Sequence, residues 1–476
     1  MIASGLIAIA RATPPSHGAP VAALVRRSLE DPRANVRDAA LLALGILGDR
    51  EALAPLGAVL HDRDDGRRLT HELGGVSCAR RQLAALALGL LGGDDAAGML
   101  LRAAERPACS DLLAAALVGA AKAAPDSTAV AARAITVLRG PGGDAAARGH
   151  AAIALSRLAG SAGRAALPLL VELARDAGSP PDVRTSAVVA LGALATIEDG
   201  EAAAGLLART RDGGDPRPRE LAYVAIGRVL ERDPAATRSD ARRRPLVARL
   251  LDQALHPDRR SDRPWALLGL GLALRDDAPD GELRGLVASK LRTLVAQRPD
   301  PTTLPAAALA LGLMRDRAAI ERLAGELAAR PPAEVQSFLV QALGLTRDRA
   351  AVDAVRTTAF AAGTAPAVRI EAARALALLH DAGALARCER QLAEADGSEA
   401  VAASLQALGA LRTLDAMAPL AALLSARPRP PAPTRAQAAV ALGALGDPLP
   451  APWWSAYSKD ANLHLRAPTL LALLPE

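Results

Sequence analysis

The sequence predicts an all-α protein, a right-handed α-solenoid of about twelve helical hairpins that spans residues 1–476 as one domain. Two observations predict this fold. Apolar residues make up 51% of the chain but aromatic residues only 1%, so alanine and leucine, which favour helices, dominate the apolar content. A block of Ala-Leu-Gly followed by two apolar residues also recurs along the chain, as stacked helical hairpins require.

One small residue marks each copy of this block. The block is clear at residues 43–47, 87–91 and 441–445. Counting looser copies, the small residue stands at positions 45, 89, 119, 156, 192, 227, 269, 312, 344, 377, 409 and 443. The mean spacing of about 36 residues is typical of two-helix repeats.

The copy at residues 31–60 shows how a hairpin is built. Asp31 is a candidate N-cap, and Gly48 is a candidate left-handed residue that ends the inner helix. The outer helix is expected to start at Asp49 and to kink at Pro55. Prolines occupy the corresponding place in two other copies, at Pro168 and Pro419.

The recurring glycine lies inside a helix, where it destabilises the helix by about 1 kcal/mol relative to alanine. Its presence in most copies therefore needs a compensating reason. We predict that neighbouring inner helices approach so closely at this position that a Cβ atom would clash.

Three stretches resemble the HEAT-repeat family, and within it the short bacterial type called PBS-lyase HEAT-like repeats. They are residues 31–40 (DPRANVRDAA), 181–187 (PDVRTSA) and 366–373 (PAVRIEAA). The resemblance covers nearly the whole chain. It implies a curved superhelix whose inner helices line a concave surface, used mostly for binding proteins.

Arg37, Arg184 and Arg369 lie near the start of the inner helix in these three copies. They could line a binding groove, which makes them candidate partner-binding residues. The alternative, which HEAT families commonly use, is a ladder of charge-assisted hydrogen bonds to acidic residues of adjacent repeats. We favour the ladder.

Function on a solenoid tends to lie where the repeat is interrupted. A charged insertion at residues 61–80 lengthens one copy to 44 residues. An arginine-rich region at residues 231–264 is expected to be irregular. It supplies further candidate partner-binding residues, namely Arg238, Arg242, Arg243, Arg244, Arg259 and Arg260.

The two ends of the chain differ from its middle. Residues 1–20 are expected to form a partial first repeat, with an inner helix that lacks its outer partner. Residues 447–476 are expected to form a capping repeat, because a terminal repeat must cover an open apolar face. Trp453 and Trp454 are candidates for this cap or for a partner-docking patch.

The residues give little support to enzyme chemistry. Deoxyhypusine hydroxylase, a HEAT-like enzyme, builds a di-iron site from several His-Glu pairs, and only His71-Glu72 is such a pair here. Potential ligands between His61 and Cys78 match no defined metal spacing, so a solvated loop is the better interpretation. We expect no catalytic residue, no cofactor and no metal.

The cysteines and the start of the chain bear on the compartment. Cys78, Cys109 and Cys388 are far apart and odd in number, so we expect no disulfide framework. Residues 1–10 are apolar but lack the basic segment of a secretory signal. These features favour the cytoplasm and leave export open. No apolar run reaches the roughly 20 residues that a membrane span needs.

Arginine supplies nearly all the positive charge, because lysine occurs only at Lys122, Lys290 and Lys459. Binding of a nucleic-acid backbone through an arginine-rich face is therefore an alternative function. The 51 acidic residues interspersed with 57 basic ones, and the scarcity of aromatics for base stacking, argue against it. We predict a monomeric, non-catalytic scaffold that binds another protein. A lyase-type or metal-dependent HEAT-repeat enzyme is the least favoured alternative.

Overall fold

The computed structural model describes residues 2–13, 18–140, 144–232, 240–275, 282–297, 299–361 and 363–446. These residues form α-helices joined by turns and short 3-10 segments, and no β-strand occurs among them. The prediction of an all-α fold is confirmed.

We call the helices that carry the small-residue block inner helices, and we include α1, which packs against α3 in the same way. They are α1 (Ile2–Ala12), α3 (Ala34–Leu47), α6 (Cys78–Leu91), α8 (Ser110–Ala123), α10 (Ala145–Ser156), α13 (Pro181–Leu194), α15 (Pro216–Glu231), α17 (Arg263–Ala273), α19 (Thr303–Leu313), α21 (Ala333–Leu345), α23 (Pro366–Leu378), α25 (Ser398–Ala410) and α27 (Ala432–Gly446).

Outer helices alternate with the inner ones. They are α2 (Gly18–Arg27), α4 (Leu53–Leu60), α7 (Asp94–Glu105), α9 (Thr128–Arg139), α12 (Leu167–Arg175), α14 (Gly200–Arg209), α16 (Asp240–Leu255), α18 (Glu282–Ala296), α20 (Ile320–Ala328), α22 (Val352–Ala359), α24 (Ala384–Ala393) and α26 (Met417–Ser425). Two short helices, α5 (Asp64–Thr70) and α11 (Gly160–Arg164), are additional. The described residues thus contain twelve outer–inner pairs, which is the predicted number.

The chain divides into two compact units. The N-terminal unit comprises residues 2–195 and 204–222, and the C-terminal unit comprises residues 196–203 and 223–446. In the N-terminal unit the inner helices α1, α3, α6, α8, α10 and α13 pack in that order. In the C-terminal unit α17, α19, α21, α23, α25 and α27 do the same. Each unit is therefore a stack of repeats in which inner helices contact their sequence neighbours.

The recurring glycines lie where successive inner helices touch. A Cβ atom on Gly45 would lie 2.5 Å from the carbonyl oxygen of Ala87 and 2.7 Å from its Cα. A Cβ on Gly312 would lie 2.5 Å from the carbonyl oxygen of Ala342. Backbone atoms cannot move aside cheaply, so these positions exclude larger residues. The predicted close approach of inner helices is confirmed in both units.

The residue that ends the inner helix also follows the prediction at Gly48, which has a φ of 67°. In the C-terminal unit basic residues take this left-handed place, with φ of 50° at Arg315, 54° at Arg347, 54° at His380 and 52° at Arg412. A left-handed non-glycine residue costs about 1 kcal/mol. A cation at a helix C-terminus stabilises the helix by about 0.3–1 kcal/mol. This gain does not exceed the cost of the left-handed conformation, so arginine is no more stabilising than glycine here.

The expected proline kinks are absent from these outer helices, so that prediction is wrong. Pro55 and Pro419 are the third residues of α4 and α26, and Pro168 is the second residue of α12. In the first turn of a helix no N–H is needed for an intrahelical hydrogen bond, so proline fits without bending the helix. Three-residue 3-10 turns at Arg50–Ala52 and Leu414–Ala416 lead into α4 and α26.

The arginine-rich region also differs from expectation. Residues 240–264, expected to be irregular, form helix α16, a 3-10 turn at Arg260–Asp262 and the start of α17. Leu246, Val247, Leu250 and Ala254 are buried, which gives α16 the apolar stripe of an ordinary outer helix. The many arginines masked this stripe in the sequence. Residues 233–239 lie outside the described residues.

Candidate functional site

Arg37 is buried rather than displayed on a groove, with 5% of its surface exposed. Its Nη1 donates to the carbonyl oxygens of Asp31 at 2.7 Å and Pro32 at 2.9 Å. Its Nη2 donates to the carbonyl of Thr70, the last residue of α5, at 3.1 Å. The guanidinium therefore ties α3 to the backbone before it and to the insertion. These acceptors are carbonyls, whereas the expected ladder has acidic acceptors.

The other two arginines of the predicted set differ from Arg37. Nη1 of Arg184 donates to the carbonyl of Ala177 at 2.8 Å, and its Nη2 lies 3.9 Å from a carboxylate oxygen of Asp215. Arg184 thus combines a carbonyl acceptor with an acidic neighbour of the next repeat, but at 3.9 Å this pair is longer than the hydrogen bond that the ladder requires. Arg369 is partly exposed, and its Nε is buried without a hydrogen-bond partner in the described structure.

Arg243 is the most buried residue of the predicted arginine-rich set, at 4% exposure. It donates to the carbonyl of Leu230 at 3.1 Å and to that of Ala273 at 3.0 Å. These carbonyls belong to the last turns of α15 and α17, where no intrahelical donor remains. Arg243 therefore caps two inner helices at once.

The remaining predicted residues have various positions. Arg242 forms an ion pair with Glu198, Arg244 and Arg260 are exposed, and Arg259 is partly exposed. Arg238, Trp453 and Trp454 lie outside the described residues. Arg37 and Arg184 belong to the N-terminal unit, whereas Arg369 and the described arginines of the arginine-rich set belong to the C-terminal unit.

Carbonyl binding by arginine recurs in both units. The acceptor in each case lies in the last turn of an outer helix: Arg81 donates to Leu60 at 2.8 Å, Arg148 to Leu138 at 3.0 Å, Arg209 to Ala174 at 3.0 Å, Arg263 to Leu255 at 3.0 Å and Arg322 to Ala296 at 3.2 Å. A guanidinium with five N–H groups can satisfy several carbonyls, whereas the ammonium of lysine is compact and strongly hydrated. This geometry gives these five arginines a role within the fold that needs no external partner.

The charged insertion is an ordered element in which α5 packs directly on α4. A Cβ on Gly66 would lie 2.6 Å from the backbone nitrogen of Val59. The carboxylate of Asp62 accepts from Nε of Arg67 at 2.9 Å and from the backbone N–H of Val76 at 2.7 Å. These hydrogen bonds lower the pKa of Asp62 to about 2. The insertion is therefore held closed at its base and is not a loose solvated loop.

Arg80 joins the insertion to α3. Its side chain lies 2.9 Å from a carboxylate oxygen of Asp38 and 2.7 Å from one of Glu72. Burial raises the pKa of Asp38 despite the opposing charge of Arg80. Burial acts the same way on Glu72, but hydrogen bonds from Ser77 and Arg80 outweigh it and lower the pKa of Glu72. Arg80 thus holds one carboxylate of α3 and one of the loop after α5.

We call residues 71–77 the clasped loop. His71 begins it in a left-handed conformation with φ of 57°, and the backbone N–H of Ser77 donates to Glu72 at 2.8 Å. At its tip Leu73 is 76% exposed, the largest value among the exposed large apolar residues of the described chain. The loop therefore presents one apolar side chain on a restrained backbone. Sequence analysis identified the insertion but did not single out Leu73.

Cys78 and Cys109 form a disulfide, so the expectation of no disulfide is wrong. Their Cα atoms are 6.7 Å apart, and the bond joins the start of α6 to the residue before α8. Cys78 lies eleven residues before Gly89, and Cys109 lies ten residues before Gly119. This nearly equal distance from the small-residue column was the signal that could have found the pair. Cys388 is a buried free thiol whose pKa is raised to about 12 by burial.

The described residues offer few side chains that could bind a metal ion or a small molecule. In the described part of the chain, no group of three or more His, Cys, Asp or Glu residues could hold a metal ion. A cleft of about 540 Å³ in the C-terminal unit has a mostly polar lining, formed by His256, Arg263, Lys290, Thr293, Gln297 and Asp300 together with Leu255, Leu294 and Pro299. Both carboxylate oxygens of Asp300 accept hydrogen bonds from Thr303. The only lining carboxylate is thus already used to start α19.

Comparison with known proteins supports the fold. The family model described as HEAT repeats matches residues 6–74. No curated protein matches the chain. None of the described helices is long and apolar enough to cross a membrane.

Solved structures with a similar fold include Kap121p bound to Nup53p, with 13% identity, a TM-score of 0.40 and coverage of 90% of this chain and 49% of that chain. Importin beta in an ammonium sulfate condition shows 15% identity, a TM-score of 0.45 and coverage of 90% and 57%. Human deoxyhypusine hydroxylase in complex with glycerol shows 21% identity, a TM-score of 0.27 and coverage of 71% and 99%. The chain spans about half the length of the Kap121p and importin beta chains that it matches.

The matched stretch of residues 6–74 begins inside α1 and ends just after α5. It therefore contains the first outer–inner pair and the outer helix and insertion of the second. The later pairs repeat the same order of helices and the same small-residue contacts. The match thus identifies HEAT repeats in residues 6–74.

Proposed function

We propose that this protein is a non-catalytic scaffold that binds another protein, and that the clasped loop is one of its contact sites. The observation that carries the proposal is Leu73, which is 76% exposed at the tip of a loop fixed by Asp62 and Glu72. Complete burial of a leucine side chain is worth about 1.5–3 kcal/mol. Leu73 contributes little of this to the fold, so the energy remains for association.

The restrained backbone supports a binding role. A loop that is already ordered loses little conformational entropy when it binds, so more of the interaction energy appears as affinity. The backbone N–H groups of Val76 and Ser77 are bound to Asp62 and Glu72 at 2.7 Å and 2.8 Å. The loop is therefore preorganised.

Exposed charged residues lie on α5, the helix that ends just before the clasped loop. Arg68 and Asp65 of α5 pair with each other, and their side chains are 69% and 80% exposed. Exposed charges of both signs form a polar rim, and the apolar residue supplies the anchor. Mixed charge suits a protein partner better than a uniformly negative nucleic-acid backbone.

The proposal is tested by quantitative affinity capture from cells of the source organism with Leu73→Ser as the variant. A partner that buries Leu73 is expected to lose at least about tenfold in retention, because the lost burial energy exceeds about 1.4 kcal/mol. Leu414→Ser is the matched control, since Leu414 is 70% exposed in the C-terminal unit. Protein partners bound by the wild type and by this control should be missing only from the Leu73→Ser sample.

Capture is repeated after nuclease treatment, and thermal unfolding is measured for each variant. If the same proteins bind the wild type and Leu73→Ser equally, the clasped loop is not a contact site. If all retained material disappears with nuclease, the nucleic-acid alternative replaces the protein-binding proposal.

A further inference from the structure

Basic residues mark one edge of the C-terminal unit. Arg315, Arg347, His380 and Arg412 follow the ends of α19, α21, α23 and α25, and all four are exposed. These inner helices pack against each other in this order. Their ends therefore form a row along the unit, and we call these four residues the basic edge.

An aspartate directly follows Arg315, Arg347 and His380, but the charge of each aspartate is used inside the unit. Asp316 binds Arg292 at 2.7 Å, Asp348 binds Arg317 at 3.1 Å, and Asp381 binds Arg356. Hydrogen bonds from Arg356 lower the pKa of Asp381, so this carboxylate stays ionised and paired. The adjacent aspartates thus have arginine partners other than Arg315 and Arg347, which form no ion pair within the described residues.

Backbone conformation gives a second, independent observation. All four residues of the basic edge have a positive φ, in a place where Gly48 serves the N-terminal unit. The conformational energy that a left-handed arginine costs offsets the electrostatic stabilisation that its charge gains from the helix dipole. Stability therefore does not explain why basic residues replace glycine in four successive repeats.

We propose that the basic edge binds an extended acidic segment of a partner protein. Packed helix axes are about 8–10 Å apart, and an extended segment in the polyproline II conformation advances about 3.1 Å per residue with three residues per turn, so every third side chain lies on the same side. Neighbouring positions of the edge thus match carboxylates on every third residue of the segment. A guanidinium binds a carboxylate through two parallel hydrogen bonds, which suits Arg315 and Arg347 to this ligand.

A protein segment fits better than a nucleic acid. Duplex DNA carries one charge per roughly 1.7 Å, far denser than charges about 8–10 Å apart. A peptide can place carboxylates at this wider spacing and neutral residues between them.

The test is fluorescence anisotropy with the full-length protein and a labelled dodecamer peptide that carries glutamate at every third position between glycine and serine. A second peptide has the same composition with its glutamates adjacent at one end. The spaced peptide is expected to bind more tightly than the clustered one. Arg315→Glu combined with Arg347→Glu is expected to weaken binding of the spaced peptide at least about tenfold, because two charge-assisted contacts become repulsive.

Arg330 supplies the matched control. It is an exposed arginine with φ of 52°, but it follows the outer helix α20 and so lies away from the basic edge. Arg330→Glu is expected to bind the spaced peptide like the wild type, while Arg347→Glu alone weakens binding several-fold. Equal loss in Arg330→Glu and Arg347→Glu, or equal affinity for both peptides, would show a response to net charge alone and overturn the proposal.

An oligothymidylate with the same number of charges is titrated in parallel. Tighter binding of this probe than of the spaced peptide would also overturn the proposal. The inference rests on the protein-binding function proposed above but concerns the other unit. Leu73→Ser is expected to leave peptide binding unchanged, so failure of the clasped loop and failure of the basic edge are distinguishable.

Discussion

The two units use the same contact between inner helices but differ in how their repeats are joined. In the C-terminal unit the small-residue column runs through positions 312, 344, 377, 409 and 443 at steps of 32 to 34 residues, after two longer steps of 42 and 43 residues between positions 227, 269 and 312. In the N-terminal unit it runs through positions 45, 89, 119, 156 and 192, at steps of 30 to 44 residues. The stack therefore tolerates wide variation in connections as long as the helix contact is kept.

Variation in the N-terminal unit comes with extra constraints. The longest step contains α5, which Asp62, Arg80 and Arg37 hold against α3 and α4. The shortest step is bridged by the disulfide of Cys78 and Cys109. In the C-terminal unit, α19 and α21 are each followed instead by a left-handed arginine, an aspartate and a 3-10 turn. Irregular repeats are thus secured by long-range bonds, and regular ones by a repeated local turn.

Reduction of the disulfide should have the largest effect on stability, and it should affect the N-terminal unit but not the C-terminal unit. The bond joins residues 31 apart in sequence, for which the lost entropy of the unfolded chain corresponds to about 3–4 kcal/mol. Hydrogen exchange followed by mass spectrometry is expected to show faster exchange in α6 and α8 after reduction, and unchanged exchange in α19 and α21. Cys109→Ser should exchange like the reduced protein and should not respond to reductant. Equal acceleration in both units would contradict this difference.

Substitution of the small-residue column should affect both units alike. Gly45→Ala and Gly312→Ala each place a Cβ 2.5 Å from a carbonyl oxygen of the neighbouring inner helix, which is expected to cost about 2–3 kcal/mol. Gly98→Ala and Gly325→Ala are controls. The nearest atom to a Cβ on Gly98 is 3.6 Å away, and none lies within 4 Å at Gly325. These controls should gain about 0.5–1 kcal/mol from better helix propensity. The free energy of unfolding is measured with denaturant. An equal free energy for Gly45→Ala and Gly98→Ala would contradict the close helix contact at Gly45.

Loss of a carbonyl-binding arginine should have the smallest of the three effects. Arg37→Lys and Arg243→Lys are expected to destabilise their own units by about 2 kcal/mol, because lysine leaves buried carbonyls without donors. Arg244→Lys is the control, since Arg244 is exposed beside Arg243, and it should change stability by less than about 0.5 kcal/mol. Hydrogen exchange of the helix ends at Thr70 and Ala273 measures the effect. If Arg243→Lys and Arg244→Lys change stability equally, the buried contacts of Arg243 do not stabilise the fold.

The fold could be predicted because its main contact leaves a mark in the sequence. Glycine at positions such as 45 and 312 is unfavourable in an isolated helix, so its repetition revealed the helix contact and the number of repeats. The kink expected at Pro55 failed because the start of α4 depends on the preceding 3-10 turn, which shifts the proline into the first helical turn. A difference of a few residues in the helix start changes what a proline does.

The candidate site could be predicted only in part, for two physical reasons. The acceptors of Arg37 and Arg243 are backbone carbonyls, which every residue carries and no sequence letter marks. Arginines therefore looked available for a partner when several are used within the fold. Leu73 was missed because an exposed leucine is recognised only when the structure shows that nothing covers it. The insertion that contains it was visible from the repeat length alone.

Arginine capping of helix ends has a consequence for solution behaviour. Guanidinium chloride carries the same cation that Arg81, Arg209 and Arg322 present to the carbonyls of Leu60, Ala174 and Ala296. At molar concentration this denaturant competes with the protein's own side chains for these acceptors, in addition to solvating apolar and peptide groups. Urea also donates N–H groups to carbonyls, but it is uncharged, so its hydrogen bonds lack the charge assistance of a guanidinium. The guanidinium group that binds helix ends in this protein is thus the same group as the cation of a common denaturant.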